Sequence, residues 1–115
     1  MIYITKNKTN EFALTLTEST TISNPYFLFK FVWEYNEDLP SAYWVGTDYS
    51  LYPERYNLFY LNEPVDVDFR QGQYRYEVYE SPIDIIIDEN TDETGLNKIE
   101  EGRMVVEGNG NTIYD

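Results

Sequence analysis

The stretch RQGQYRYEVYES, residues 70–81, carries its information in alternation. Successive side chains of an extended strand point to opposite faces. Tyr74, Tyr76 and Val78 therefore share one face, and Arg75, Glu77 and Tyr79 share the other. Gly72 precedes the run and Pro82 closes it. One face is wholly aromatic or apolar while the other mixes charges with a single ring, the pattern of a strand with one side in a core. Its tyrosines read as packing residues rather than as a catalytic or sugar-binding array.

The same period of two recurs along the chain. Ile2 and Ile4 alternate with Tyr3 and Thr5, and Phe12, Leu14 and Leu16 alternate with Ala13, Thr15 and Thr17. In YFLFKFVWEY, residues 26–35, Phe27, Phe29, Phe31, Trp33 and Tyr35 share a face, with Lys30 and Glu34 opposite. Apolar residues on both faces there predict a central strand whose second face is partly covered. AYWVG (42–46), RYNLFYLNE (55–63), VDVDF (65–69), IDIII (83–87, with Ile83, Ile85 and Ile87 inward) and RMVVE (103–107) complete the expected strands. Turn residues separate them at 23–25, 36–41, 62–64, 71–72, 81–82 and in GNGN at 108–111. DENTDETGLNKIEEG, residues 88–102, lacks a strand period and reads as a long acidic loop, with at most one helical turn around Leu96–Glu101.

About eight short strands roughly ten residues apart are the signature of a sandwich or small barrel. The opening stretch decides between them. In immunoglobulin-like domains a Tyr near the start of strand F ties its hydroxyl back to the preceding corner. Gly72-Gln73-Tyr74 fits that corner, although Arg70 stands where an Asp is usual. Tyr76 then takes the inward position at which antibody domains place their second Cys, and Trp33 is a candidate for the core aromatic of the opposing sheet. The expected fold is a single all-β domain over residues 1–115: an immunoglobulin-like Greek-key β-sandwich of about seven to nine strands with one long acidic loop. Trp33, Gly72, Tyr74, Tyr76 and Val78 form its expected structural core.

Composition excludes several kinds of chemistry. The chain has no Cys and no His, which removes disulfides, thiolate nucleophiles, Cys/His zinc sites and imidazole acid–base catalysis. Net charge is −13, from 21 acids against 8 bases, so a nucleic-acid backbone or an anionic membrane would repel it. Nothing approaches the ~20 apolar residues of a membrane span. The N-terminus lacks the apolar segment of a signal peptide, so the expected setting is the cytosolic side, or a particle assembled there.

Three constellations need weighing. Asp66 and Asp68 fall on one side of an expected strand, ~7 Å apart, a spacing that suits paired carboxylates but also a half-solvated strand. DENTDETG places Asp88, Asn90 and Asp92 like the first ligands of a calcium loop. Glu93 stands where that loop needs Gly, and Ile99 where it needs a bidentate Glu; a solvated acidic loop over 84–101 is the default, with no cofactor or metal assigned. Twenty aromatics, twelve of them tyrosine, exceed what such a core needs, and tyrosine is over-used at binding surfaces. Tyr49 and Tyr52, in a Pro- and Asp-broken stretch with Arg55, are the expected exposed contacts. The short strands Ile2-Tyr3-Ile4-Thr5 and RMVVE are the expected edges for pairing with a neighbour. Lys6 and Lys8 could meet an acidic face such as 84–101.

Taken together, MIYITKNKTNEFALTLTESTTISNPYFLFKF (1–31), RYNLFYL (55–61), GQYRYEVYES (72–81) and EEGRMVVEG (100–108) resemble short proteins encoded by tailed phages of Bacteroidetes bacteria, including crAss-like phages. The resemblance covers most of the chain and brings no active-site motif. It implies a non-enzymatic virion structural protein, foremost a capsid auxiliary (decoration) protein on the capsid lattice, or else a neck or tail (connector or ring) subunit. Its partners would be other virion proteins in a symmetric, multi-copy assembly, with no nucleic acid and no membrane, located in the virion after assembly in the host cytoplasm. Two other expectations stand beside it. The acids between Glu77 and Glu101 fit an inhibitor that imitates phosphate charge on a host DNA-binding protein. Trp44 and Tyr52 fit a carbohydrate-binding tail module.

Overall fold

The structure, a computed structural model, describes residues 1–36, 38–88 and 90–108. Glu89 of the acidic run and residues 109–111 of the expected GNGN turn lie outside them. The strands are β1 (Ile2–Thr5), β2 (Thr9–Leu14), β3 (Tyr26–Trp33), β4 (Ala42–Gly46), β5 (Asn57–Asn62), β6 (Gly72–Ser81) and β7 (Asn97–Glu107), with one 3-10 turn at Thr17–Ser19. A five-stranded sheet runs in the order β1-β7-β6-β3-β4, and β2 and β5 form a two-stranded ribbon. β1 lies parallel to β7, and the other pairings are antiparallel. The fold is all-β and sandwich-like, with a mixed sheet facing a ribbon.

The alternation of β3 and β6 builds the core. Phe27, Phe29 and Phe31 stand beside Tyr74, Tyr76 and Val78 on one face of the sheet, flanked by Ile2, Ile4, Met104 and Val106. Leu14, Phe59 and Leu61 of the ribbon close over them. Phe29 lies at the centre, its ring 5.1 Å from those of both Trp44 and Phe59. Fully burying one such side chain stabilises the fold by about 1.5–3 kcal/mol, so this aromatic layer dominates the packing. The second face of β3 is covered too: Leu28 and Val32 are buried there, with Glu77 and Tyr79 beside them. Glu93 reaches over that face to Lys30 at 2.7 Å and to the Tyr43 hydroxyl at 2.8 Å.

The corner expected at Gly72-Gln73-Tyr74 is present as a hydrogen bond. The Tyr74 hydroxyl donates to the Arg70 carbonyl at 2.7 Å. Gly72 has a φ of +140°, and a Cβ there would lie 2.6 Å from the Tyr35 ring and 2.9 Å from Trp33 Nε1, so the position demands glycine. Trp33 differs from expectation. It stands in the same sheet as β6, directly opposite Tyr74, half-buried, with the Arg70 guanidinium 5.2 Å over its ring.

Three other expectations are corrected. VDVDF is not a strand: Val67 and Phe69 are buried, but Val65 is exposed and the segment crosses between β5 and β6 as irregular chain. Its inward residues serve by capping, with the Phe69 ring 5.1 Å from Phe31 and 5.3 Å from Tyr74. IDIII is not a strand either, and Ile83, Ile86 and Ile87 are exposed. Residues 97–102 form neither loop nor helical turn but the first half of β7. They pair with β6 through a register shift at Val78/Tyr79. RMVVE is consequently interior, flanked by β1 on one side and β6 on the other.

Candidate functional site

Buried carboxylates are the first place to look for acid–base chemistry. Glu63, Glu77 and Glu80 are all buried. Glu63 accepts the Asn7 N–H at 2.7 Å, the Phe69 N–H at 3.0 Å and the Lys6 ammonium at 2.9 Å. Lys6 also donates to the Phe69 carbonyl, so it is a clamp within the chain rather than a free basic contact. Glu80 accepts from the Thr21 N–H (2.7 Å), the Thr21 hydroxyl (2.6 Å), the Ile22 N–H (3.1 Å) and Asn97 Nδ2 (2.7 Å). Glu77 accepts the Tyr79 hydroxyl at 2.5 Å and Arg75 Nε at 3.1 Å. Burial acts to raise all three, but these hydrogen bonds outweigh it and hold each carboxyl below the usual glutamate range. Their oxygens are engaged by the chain's own donors and act as fasteners.

The other acid pairs do not converge. Asp66 and Asp68 are both exposed on the irregular crossing; Asp66 accepts the Asn62 N–H at 2.8 Å, and Asp68 lies 3.4 Å from Lys6. Asp88 and Asp92 cap local turns through the Asn90 and Thr94 N–H groups. Among the described residues, no group of three or more acidic side chains gathers as a metal site would need.

The expected contact residues fall into two places. On β1, Ile2 and Ile4 are fully buried and belong to the core, whereas Tyr3 is 65% exposed at the outer edge of the five-stranded sheet. Tyr49, Leu51, Tyr52 and Arg55 are exposed on the connection between β4 and β5. That connection is built around Asp48, which sequence reasoning passed over. Its Oδ1 accepts the Ser50 and Leu58 N–H groups at 2.8 and 3.0 Å, and its Oδ2 accepts Asn57 Nδ2 at 2.8 Å. The readable signal was Asp48-x-Ser50, the spacing of an Asp side-chain turn. Tyr49 is fixed further by its N–H on the Leu58 carbonyl at 2.8 Å and by an edge-to-face ring contact with Tyr60 at 5.5 Å. Leu51 and Tyr52, 85% and 54% exposed, project from this braced base. Trp44 packs instead against Phe12, Phe29 and Phe59.

Beside this connection lies a cleft of about 620 Å³. Thr17, Thr20, Ser23, Thr47, Ser50 and Asp48 line it together with Ile22, Pro25, Tyr26 and Phe27. None of the lining side chains is basic.

No family model, curated protein or solved structure matches the chain. The functional reading therefore rests on its own residues and surfaces.

Proposed function

We propose that this chain is a non-enzymatic structural protein that acts by binding other protein subunits, in the first place as a capsid auxiliary (decoration) protein of a tailed phage. The observation that carries the reading is the Tyr49–Leu51–Tyr52 cluster. Large apolar side chains are held out to solvent on a connection that Asp48 and its hydrogen bonds keep in place. Ordered, exposed tyrosines lose little entropy on docking and supply much contact area. The saturated buried carboxylates accord with this role, since their hydrogen bonds hold the fold together. The resemblance of residues 1–31, 55–61, 72–81 and 100–108 to phage proteins supplies the setting. The partners are other virion proteins in a multi-copy assembly.

The fold reading that accompanies it is immunoglobulin-like. The sheet order β1-β7-β6-β3-β4 with a β2-β5 ribbon reads as strands A′-G-F-C-C′ facing B-E, and the Tyr74–Arg70 bond supplies the tyrosine corner. A neck or tail subunit uses the same surfaces. Affinity capture tests the reading: the tagged chain retains capsid or neck proteins from infected lysate, and Leu51→Asp with Tyr52→Asp releases them. Equal retention by the double variant contradicts it.

The cleft favours a second reading, a carbohydrate-binding module. Hydroxyl side chains together with Tyr26 and two prolines, without a basic group in the lining, fit a neutral sugar. Binding of a neutral oligosaccharide that Thr47→Arg abolishes would support it over the first.

A further inference from the structure

Antiparallel pairing alternates, so one fixed bond sets which residues of an edge strand turn their backbone outward. The Glu34 N–H donates to the Gln73 carbonyl at 2.9 Å, one step beyond the pair Trp33 and Tyr74 in the β3–β6 register. Glu34 and Gln73 are therefore a hydrogen-bonded pair, and Val32, Lys30 and Leu28 likewise turn their backbones towards β6. Phe27, Phe29 and Phe31 then turn theirs towards β4, where they face Gly46, Trp44 and Ala42. The N–H and C=O groups of Tyr43 and Val45 are left pointing away from the sheet, because β4 is its last strand. Among the described residues, no hydrogen bond outside the strand ladder reaches either backbone.

Open edges are normally blunted by charge, proline or short length. β1 has four residues and runs straight into Lys6 and Lys8, and β2 carries Glu11 at its middle. β4, Ala42-Tyr43-Trp44-Val45-Gly46, carries neither charge nor proline within the strand, and it is the strand that sequence reasoning did not mark as an edge. Two acids flank it: Asp38 precedes it, and Asp48, whose oxygens accept from the neutral Ser50, Leu58 and Asn57 donors and so keep their charge, follows it. The nearby cation Lys30 is already paired with Glu93 at 2.7 Å.

We propose that β4 is a strand-addition site that takes an extended segment of a partner protein, uncharged and β-branched or aromatic at its centre and basic at its flanks. Main-chain bonds to Tyr43 and Val45 supply the pairing, and the flanking acids select the basic ends. A second copy of this chain is the wrong occupant. Its own β4 would bring Asp38 and Asp48 against the same acids, on a protein of net charge −13. The inference rests on the partner-binding role proposed above and names one of the surfaces that would perform it.

The test is an amide NMR titration of the full chain with the capped peptide Lys-Lys-Thr-Val-Thr-Val-Thr-Lys-Lys, up to about 1 mM. In the free protein the Tyr43 and Val45 amides should exchange fast and the Trp44 amide slowly. The peptide should shift and protect Tyr43 and Val45, and a Glu-flanked version should bind at least about tenfold more weakly. Val45→Pro removes an outward N–H without touching the ladder to β3, and it should abolish binding. If that variant misfolds, a peptide N-methylated at its central residues replaces it. Absence of shifts, shifts confined to β1 or β2, or slow Val45 exchange in the free monomer would overturn the proposal. A chain that ignores the peptide but still captures its assembly partners loses the β4 site and keeps the structural role; a chain that captures none loses the role itself.

Discussion

The Tyr74 hydroxyl donates a hydrogen bond to the Arg70 carbonyl across 2.7 Å, while its ring lies 5.3 Å from that of Phe69. Phenol and ring together pin the 63–71 crossing to the start of β6. Tyr74→Phe keeps the ring and deletes the bond, so it should cost about 1 kcal/mol in urea unfolding. The slope of the transition should stay unchanged. An unaltered midpoint would show that the corner contributes nothing.

Glu80 fastens Thr21 and Ile22, ahead of β3, to Asn97 at the start of β7. Burial acts to raise its pKa, but the bonds from Asn97, Thr21 and Ile22 outweigh this and lower it. Glu63 behaves in the same way through Asn7, Lys6 and Phe69. A depressed folded-state value means that the stabilisation is complete above the unfolded value of about 4.3 and is lost as pH falls through the folded one. Stability should therefore hold from neutral pH to about 5 and drop below about 4. Glu80→Ala, which deletes the charge-assisted bonds from Thr21, Ile22 and Asn97, should cost about 1.5–3 kcal/mol at neutral pH and flatten the acid limb of the profile. Thermal melts across this pH range measure both.

Tyr76 lies across Gly102, its partner in the β6–β7 register. A Cβ at Gly102 would meet the Tyr76 ring and hydroxyl at 2.7 Å. Gly102→Val should destabilise by about 1–3 kcal/mol through overpacking. Adding Tyr76→Leu should recover part of that loss, and a double-mutant cycle reads the coupling. The Tyr76 phenol is pushed up to about 12 by burial and by the nearby Glu100 carboxylate, so a spectrophotometric titration should show the step lost in Tyr76→Phe lying well above the ordinary phenol value of about 10.

Leu51 and Tyr52 lie outside the core cluster and stand well out to solvent. Leu51→Asp with Tyr52→Asp should shift the unfolding midpoint by no more than about 0.5 kcal/mol and still abolish partner capture. A loss of stability matching the loss of binding would show that the cluster is structural.

Strands with period two and a buried partner on each side, such as Tyr26–Trp33 and Gly72–Ser81, were legible in the sequence. Their alternation is imposed by the core itself. Asn97–Gly102 was not, because its polar residues carry no local strand signal; it is a strand because β6 hydrogen-bonds it and because Gly102 leaves room for Tyr76. VDVDF and IDIII misled for the converse reason. Alternating apolar residues satisfy the pattern, but among the described residues neither segment has a neighbouring strand to pair with. Phe69 still reaches the core from irregular chain, and the isoleucines at 83, 86 and 87 stay outside. Of the expected contacts, Tyr3, Tyr49, Tyr52 and Arg55 are exposed, while Ile2 and Ile4 are core residues. The Asp48 turn onto Ser50 was readable in its two-residue spacing, whereas the bonds of Asp48 to Asn57 and Leu58 and the open β4 edge depend on pairing between residues farther apart, which local spacing does not encode.

The proposal that this is a virion structural subunit is tested most directly by mass spectrometry of purified particles of the phage proposed to encode it. The account predicts the chain in every preparation, in fixed multi-copy ratio to the major capsid protein, and its loss from particles carrying Leu51→Asp with Tyr52→Asp. Particles that assemble, infect and contain none of it would contradict the account.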